Sequence, residues 1–578
     1  MNRQVIKPMV QSMLYLARNG MAFRGGNSVG FYDMKDSGDI QKQRGNFQTL
    51  LEARCQWGDA VLKSHLSSKE FFLNYTSWKV QNDLLNCARN IIRRKIVEEV
   101  HAAKVFTILA DETQDISRKE QLCVAVRYLK DGEVVERFLG MKPLLSQTAV
   151  DIKNGIFKIL LESGIDLKQA IMVCQVYDGA SSMSGCNGGV QRLIIDIYAT
   201  AFYVHCTAHT LNLAICKASK VRFILSTLTT INNVSVFIRA STQRCERLKI
   251  AIEAYKLSNK NTLIKLCETR WSEKVNSIDN FLDLLLAIIV VLDELRLENG
   301  DVAAKAQGYF NQITDEQFIY TLVLLSRSYD KFDIVCKSFQ KIDTGIVSSM
   351  QLIKYLLRNI ENWLSGNGVG SYQIISNKVK EIEKELSEKA EIQLTKPQGR
   401  QRRVDFKSQI YEPFLKEFKQ QVEGYFGNHF ELFSKFEAVL PGSDKEFANI
   451  KPLFEFYIKH AVIECSIDSI ESEFEMWKDI TKDTKRDILI TKLLKIAQDH
   501  QLHAIASLLK ILATIGGSSA TAERCFSALK LIKTELRNAT DDERLDSLIS
   551  IYFNSKVGCS ETEVITEYGK SKHRYNFA

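Results

Sequence analysis

The sequence predicts a mixed α/β core joined to a large all-helical part. Three observations carry that prediction. Between Val105 and Cys206 the apolar pattern changes from helical spacing to short β-rich runs. On either side of that window helical spacing persists for long stretches. Only 6 prolines occur in 578 residues, so few helices need be interrupted.

In order along the chain, residues 1–104 read as helices, with Leu84–Lys104 the clearest, and Phe23–Asp33 reads as a Gly-rich loop. Val105–Asp111 is a β-rich run that ends in an acid, and Gln121–Leu129 alternates. Lys130-Asp131-Gly132-Glu133 signals a hairpin turn, because Asp-Gly accepts positive φ. Glu133–Leu144 then completes an antiparallel meander. Thr148–Gly164 is a helix stopped by glycine, Ala170–Asp178 a near-continuously apolar central strand, and Phe202–Cys206 a short strand after a second helix. The order β-β-β-α-β-α-β is that of the ribonuclease-H-like fold. From about Thr210 to Lys510 the chain reads as helix almost throughout, broken near Lys396–Lys407 by a basic loop. The expected organisation is therefore a helical region 1–104, the first part of the core 105–218, a helical insertion 219–485, C-terminal helices 486–556 and a loose tail 557–578.

Composition narrows the class. Hydrophobic residues make up 45% and charged residues 25%, as in folded soluble proteins, and the net charge of +8 permits a polyanionic partner without demonstrating one. The 13 cysteines are an odd number with no CxxC, which reads as reduced thiols in an intracellular protein. The N-terminus lacks the pattern of a secretory signal. The longest apolar stretch, Phe281–Leu292, contains Asp283 and is too short for a bilayer span of about 20 residues, so it is expected to be one buried helix and no membrane partner is expected.

The residues with chemical potential are acids at strand ends. Asp111 closes the first strand and Asp178 the fourth, and neighbouring strands would bring both to one sheet edge. Two adjacent carboxylates repel unless a cation lies between them, and Mg²⁺ or Mn²⁺ favours such oxygen donors. The plain alternative is that each acid opens a turn, since DETQD and DGASS are good turn sequences. Glu523, in the first turn of a helix opened by Ser519 or Thr521, is a third candidate; the alternative is a helix-dipole acid paired with Arg524.

The runs FTILADETQDISRKEQLCVAVRYL, VYDGASSMSG, YVHCTAHTLNLAIC, ETRWSEK and SSATAERCFSALKLIKTELRN, followed by DERLDSLISIY, together resemble the hAT superfamily of DNA transposases. The resemblance is nearest the branch of TTF-type and MYM-type zinc-finger transposase-derived proteins, and it runs in order over nearly the whole chain. It implies a ribonuclease-H-like core interrupted after its fifth strand by the helical insertion, which is how Glu523 returns to the two aspartates. It implies that Asp111, Asp178 and Glu523 hold Mg²⁺ or Mn²⁺ for DNA cleavage and strand transfer, with hairpins left on flanking DNA. It implies dimerisation through the C-terminal helices, whose apolar stripes are Phe526, Leu529, Ile532 and Leu536, then Leu545, Leu548, Ile549 and Tyr552.

The companions of the acids have weaker signals. Cys206-x-x-His209 has the spacing of half a zinc site, but no second pair lies nearby, so no structural zinc is expected. The resemblance places His209 near DNA phosphate with Cys206 as its motif companion; the alternative is a buried strand-end thiol and a helix-start histidine. Arg270 could clamp a phosphate and Trp271 stack on a base, or both could belong to a helical core. Basic groups gather at Arg93-Arg94-Lys95, at Arg400, Arg402 and Arg403, and at Lys530, Lys533 and Arg537; Lys530 and Lys533 follow Glu523 and could line a DNA groove.

The family carries a zinc finger before the helical N-terminal region, and no paired Cys/His occurs there from Met1 on. Gly516-Gly517 stands where the family commonly has a proline, and two glycines are expected to loosen the approach to Glu523. Two readings follow: a transposon-derived nuclear protein with a DDE-type catalytic core that dimerises and binds DNA non-specifically, or a domesticated, catalytically inactive nuclear scaffold or transcriptional regulator on the same fold.

Overall fold

The computed structural model describes residues 2–24, 45–67, 75–257, 262–266, 271–342, 344–395, 405–485 and 488–570. The basic residues Arg400, Arg402 and Arg403 lie outside them, as does most of the Gly-rich stretch after Phe23. The chain divides into two compact units, one of Met1–Cys206, Ile342–Ile346 and Ser434–Ala578, the other of Thr207–Lys341 and Val347–Phe433.

The first unit holds a five-stranded sheet in the order β3-β2-β1-β4-β5. Its strands are β1 Val105–Gln114, β2 Glu120–Lys130, β3 Glu133–Pro143, β4 Ile171–Tyr177 and β5 Phe202–His205. β1, β2 and β3 form the expected antiparallel meander, and β4 and β5 join parallel to β1. Asp131 and Gly132 both take positive φ, 51° and 79°, which the two-residue turn between β2 and β3 requires. β1 runs three residues past Asp111 because Glu112–Gln114 still pair with Glu120–Leu122.

Helices from the far end of the chain pack on the sheet and along the open edge of β3. Helix Ala520–Ile532 packs on β1, β2 and β3, and helix Asp542–Phe553 on β3 and on helix Trp78–Ala103. A register shift in β3 leaves the Leu139 carbonyl to the Arg93 guanidinium, 2.7 Å away. Arg93 also grips both carboxylate oxygens of Asp546, and Asp546 accepts from the Met141 amide at 3.0 Å. Arg93 is thereby withdrawn from any DNA surface, while Arg94 and Lys95 stay partly exposed in ion pairs. Arg93 is buried with Asp546, Arg94 pairs with Glu567 and Lys95 with Glu563.

The C-terminal stripes need correcting in the same way. Leu529, Ile532, Leu545, Leu548 and Ile549 are buried inside this unit, whereas Leu536 is 97% exposed. Most of the apolar surface assigned to a partner chain thus fills the intramolecular core. Nor is the described part of the expected loose tail, residues 557–570, without structure: Glu561–Gly569 is a helix, opened by a Ser560–Glu563 capping box, that buries Val564, Ile565 and Tyr568.

The second unit is helical, and one of its long helices, Glu316–Phe339, starts at Asp315, whose carboxylate accepts from the Gln317 and Phe318 amides. The apolar stretch around Asp283 is not one helix. Helix Trp271–Asp283 ends there, Leu284 departs from helical geometry at φ −100° and ψ 5°, and Leu285–Arg296 leaves at a bend of 68°. No single helix among the described residues is long and apolar enough to cross a membrane.

Candidate active site

β1 and β4 are parallel neighbours with Leu109 opposite Val176. Two residues further, beyond the last paired positions, come Asp111 on β1 and Asp178 just past β4. Both residues thus follow the point where the parallel pairing of β1 with β4 ends, near the carboxyl edge of the sheet where open α/β sheets place their ligands. Asp111 accepts from the Glu112 amide at 2.9 Å and Asp178 from the Ala180 amide at 3.2 Å. The Tyr203 hydroxyl donates to the Asp178 carbonyl at 3.0 Å and ties β5 to this corner.

Glu523 arrives from the other end of the sequence, on the exposed side of the first turn of helix Ala520–Ile532. Burial, then the charges of Glu523 and Asp178, push the Asp111 carboxyl well above the usual carboxylate range. Asp178 and Glu523, both expected from the sequence, therefore act electrostatically on Asp111.

A fourth acid escaped the sequence reading. Burial, then the charges of Asp178 and Glu120, raise Glu112 to about 7, and its Oε2 is buried without a hydrogen-bond partner. Its signal was its place directly after Asp111 in a strand, which sends the two side chains to opposite faces of the sheet. His205 was also passed over. A Cβ on Gly179 would stand 2.3 Å from the His205 ring, so glycine beside Asp178 is what allows the imidazole to lie there. Gly179→Ala is expected to cost roughly 1–3 kcal/mol by overpacking and to displace Asp178; an unchanged thermal midpoint would show that the ring yields freely.

The companions separate. Cys206 is buried, and its Sγ lies 3.4 Å from both the Ser518 hydroxyl and the Ser519 amide, at the start of the Glu523 helix. Gly516 does not loosen this approach. A Cβ there would meet Arg127, Leu109 and Val176 at 3.3 Å each, so glycine permits close contact with the sheet. His209 lies in the first turn of helix Thr207–Ala218 in the second unit. Arg270 lies outside the described residues, and of Trp271 only the backbone is described, opening helix Trp271–Asp283. Lys530 shares the exposed face of the Glu523 helix. Lys533 is no DNA ligand: it is buried, with Nζ 2.7 Å from the Asp115 carboxylate.

A set of carboxylates in which Asp178 and Glu523 both disfavour ionisation of Asp111 matches the donor preference of Mg²⁺ or Mn²⁺. The fit is one of charge and donor type. Among the described residues no three His, Cys, Asp or Glu side chains are grouped tightly enough to hold one ion as they stand.

Residues 1–189, which include β1 to β4 and both aspartates, match the family model described as DUF4371: ZMYM1/FAM200, RNase-like domain. Over 541 residues the chain is 22% identical to the human "52 kDa repressor of the inhibitor of the protein kinase", an alignment that covers 89% of this chain and 70% of that one. The Mus musculus protein of the same name is 22% identical over 542 residues, with the same coverage.

Proposed function

We propose that the chain is a transposon-derived protein of the hAT type whose ribonuclease-H-like core cleaves DNA strands with a divalent cation, in the nucleus. The observation that supports this reading is that Asp178 and Glu523, from separate parts of the chain, both raise the carboxyl of Asp111, which stands just beyond the last residue of β1 paired with β4. Asp111, Asp178 and Glu523 would hold the cation. When bound, it supplies Lewis-acid stabilisation of the attacking and leaving oxygens in a phosphoryl displacement. The chain's own part is to fix the acids: strand register sets Asp111 and Asp178, and packing on the sheet sets the helix of Glu523. Lys530, on the same exposed face, offers a cation to the DNA backbone. His209, Arg270 and Trp271 remain its proposed DNA contacts through the resemblance alone. Self-association rests on the resemblance and on residues left in solvent, Leu536 foremost.

The test is nicking of supercoiled plasmid in Mn²⁺. The wild type is expected to nick and Asp178→Asn to be inactive; equal nicking by both would remove the acids from the reaction. DNA binding itself is expected to be sequence-tolerant, steeply salt-dependent and in the range of about 10⁻⁴–10⁻⁶ M. A nanomolar preference for one duplex at physiological salt would contradict that.

A second reading has its own support. The similar human and mouse proteins are named as repressors, which favours a nuclear DNA-associated regulator that no longer cleaves. A wild type that binds DNA and Mn²⁺ without nicking would select it.

A further inference from the structure

Helix Ala520–Ile532 is not merely packed on the sheet. The chain leading into it is tied down polar group by polar group. The Thr107 hydroxyl donates to the Thr514 carbonyl at 2.8 Å. Arg127, 1% exposed, donates to the Ala513 carbonyl at 3.1 Å and to the Ile342 carbonyl. Across the β2–β3 ladder Arg127 faces Glu136, and the two form an ion pair at 2.8 Å. The other oxygen of Glu136 accepts from the hydroxyl of Thr521, and the Arg524 guanidinium lies 3.6 Å from it. Thr521 and Arg524 flank Glu523 within two residues on either side.

A buried ion pair is a poor device for stability alone, because desolvation of both ions offsets their attraction and a well-packed apolar pair does as well. An apolar cross-strand pair at these positions would serve the sheet. It could not accept from Thr521 or attract Arg524. What the ions add is direction: one carboxylate, itself aimed by a guanidinium, contacts a residue on each side of Glu523, Thr521 and Arg524.

We propose that Arg127 and Glu136 are positioning residues that fix the first turn of helix Ala520–Ile532 through Thr521, and so set the carboxylate of Glu523 against Asp111 and Asp178. The inference rests on the strand-cleaving reading above for its functional consequence, but the clamp can be measured without it.

The experiment uses the full chain with Thr521→Val, Thr521→Ser and Glu136→Gln. Misplacement of a catalytic group by about 1 Å can cost about 100-fold. Thr521→Val is therefore expected to lower kcat for Mn²⁺-dependent plasmid nicking about tenfold or more, with KM for DNA unchanged. Thr521→Ser, which keeps the hydroxyl, is expected to restore it. Glu136→Gln keeps an acceptor but loses the charge and should fall between them, so it also stands in if Thr521→Val does not fold. In parallel, amide exchange of residues 520–525 is expected to accelerate in Thr521→Val and not in Thr521→Ser. Nicking by Thr521→Val at the wild-type kcat, or a rise in KM alone, overturns the proposal. If the wild type nicks nothing, the strand-cleaving reading fails. Exchange then decides the clamp: acceleration that serine reverses upholds it, and unchanged exchange overturns it.

Discussion

Added Mn²⁺ is expected to raise the thermal midpoint of the wild-type protein and to leave that of Asp178→Asn where it was. The argument is one of charge. Burial, then repulsion from Glu523 and Asp178, holds the Asp111 carboxyl well above its usual range. Fixing these acids near one another opposes folding until a cation compensates. A ligand that binds only the folded state adds stability by mass action, about 2.7 kcal/mol at a concentration 100 times its Kd. Asp111→Asn should behave in a complementary way. Without metal it removes a repelled charge while Asn can still accept from the Glu112 amide, so its midpoint is expected to exceed that of the wild type. With Mn²⁺ the order should reverse, because the variant gains nothing from the cation. Scanning calorimetry of the three proteins with and without Mn²⁺ checks this. Equal gains in wild type and Asp178→Asn would place any bound ion elsewhere.

The contrast between Asp111 and Lys533 shows what the sequence can and cannot say. The β-rich runs, the Asp131-Gly132 turn and the near-continuous apolar character of β4 are local signals, and they place Asp111 and Asp178 on strands that turn out to be parallel neighbours, although β1 continues to Gln114. Glu523 is different, since no periodicity links it to that edge; only the ordered set of motifs did. Glu112 was legible and missed: in a strand the residue after an edge acid belongs to the other face, and Asp178 interacts with both. The fate of the basic residues was not legible. Arg93, Arg94 and Lys95 look like a surface patch until helices beginning at Asp542 and Glu561 supply Asp546, Glu567 and Glu563. The apolar stripes were read correctly as apolar, but periodicity cannot say whether such a face is covered by the same chain or by another.

Loss of the buried Lys533 ammonium is expected to destabilise the first unit more than a substitution at an exposed position of the Glu523 helix such as Lys530. Lys533 and Asp115 have side chains 1% and 0% exposed, and their contact of 2.7 Å joins the far end of that helix to the turn between β1 and β2. Removing one member of a buried pair typically costs about 3–5 kcal/mol, because the other charge stays buried without compensation. Here Asp115 keeps three further donors, Gln121 Nε2 at 3.0 Å and the amides of Ser117 and Lys119 at 2.8 and 3.1 Å. Lys533→Met should therefore cost about 3 kcal/mol, at the lower end of that range. Adding Asp115→Asn removes the stranded charge but keeps an acceptor for the two amides, so the double variant is expected to be more stable than Lys533→Met. Acid sensitivity follows the same pair. Burial works to raise the Asp115 carboxyl, but the hydrogen bonds from Lys533, Gln121 and Lys119 outweigh it and hold the group below its usual value. A depressed carboxylate gives stability that is present above its unfolded value, about 3.9, and is lost as pH falls through the folded one. The wild type should lose this contribution below about pH 4, and Lys533→Met should lose less there, having less to lose. Urea unfolding of the three proteins at pH 7 and pH 3.5 measures both effects. DNA affinity supplies the control: measured on folded protein, it should be unchanged in Lys533→Met and reduced in Lys530→Glu. A stable Lys533→Met that binds DNA more weakly would return Lys533 to the DNA surface.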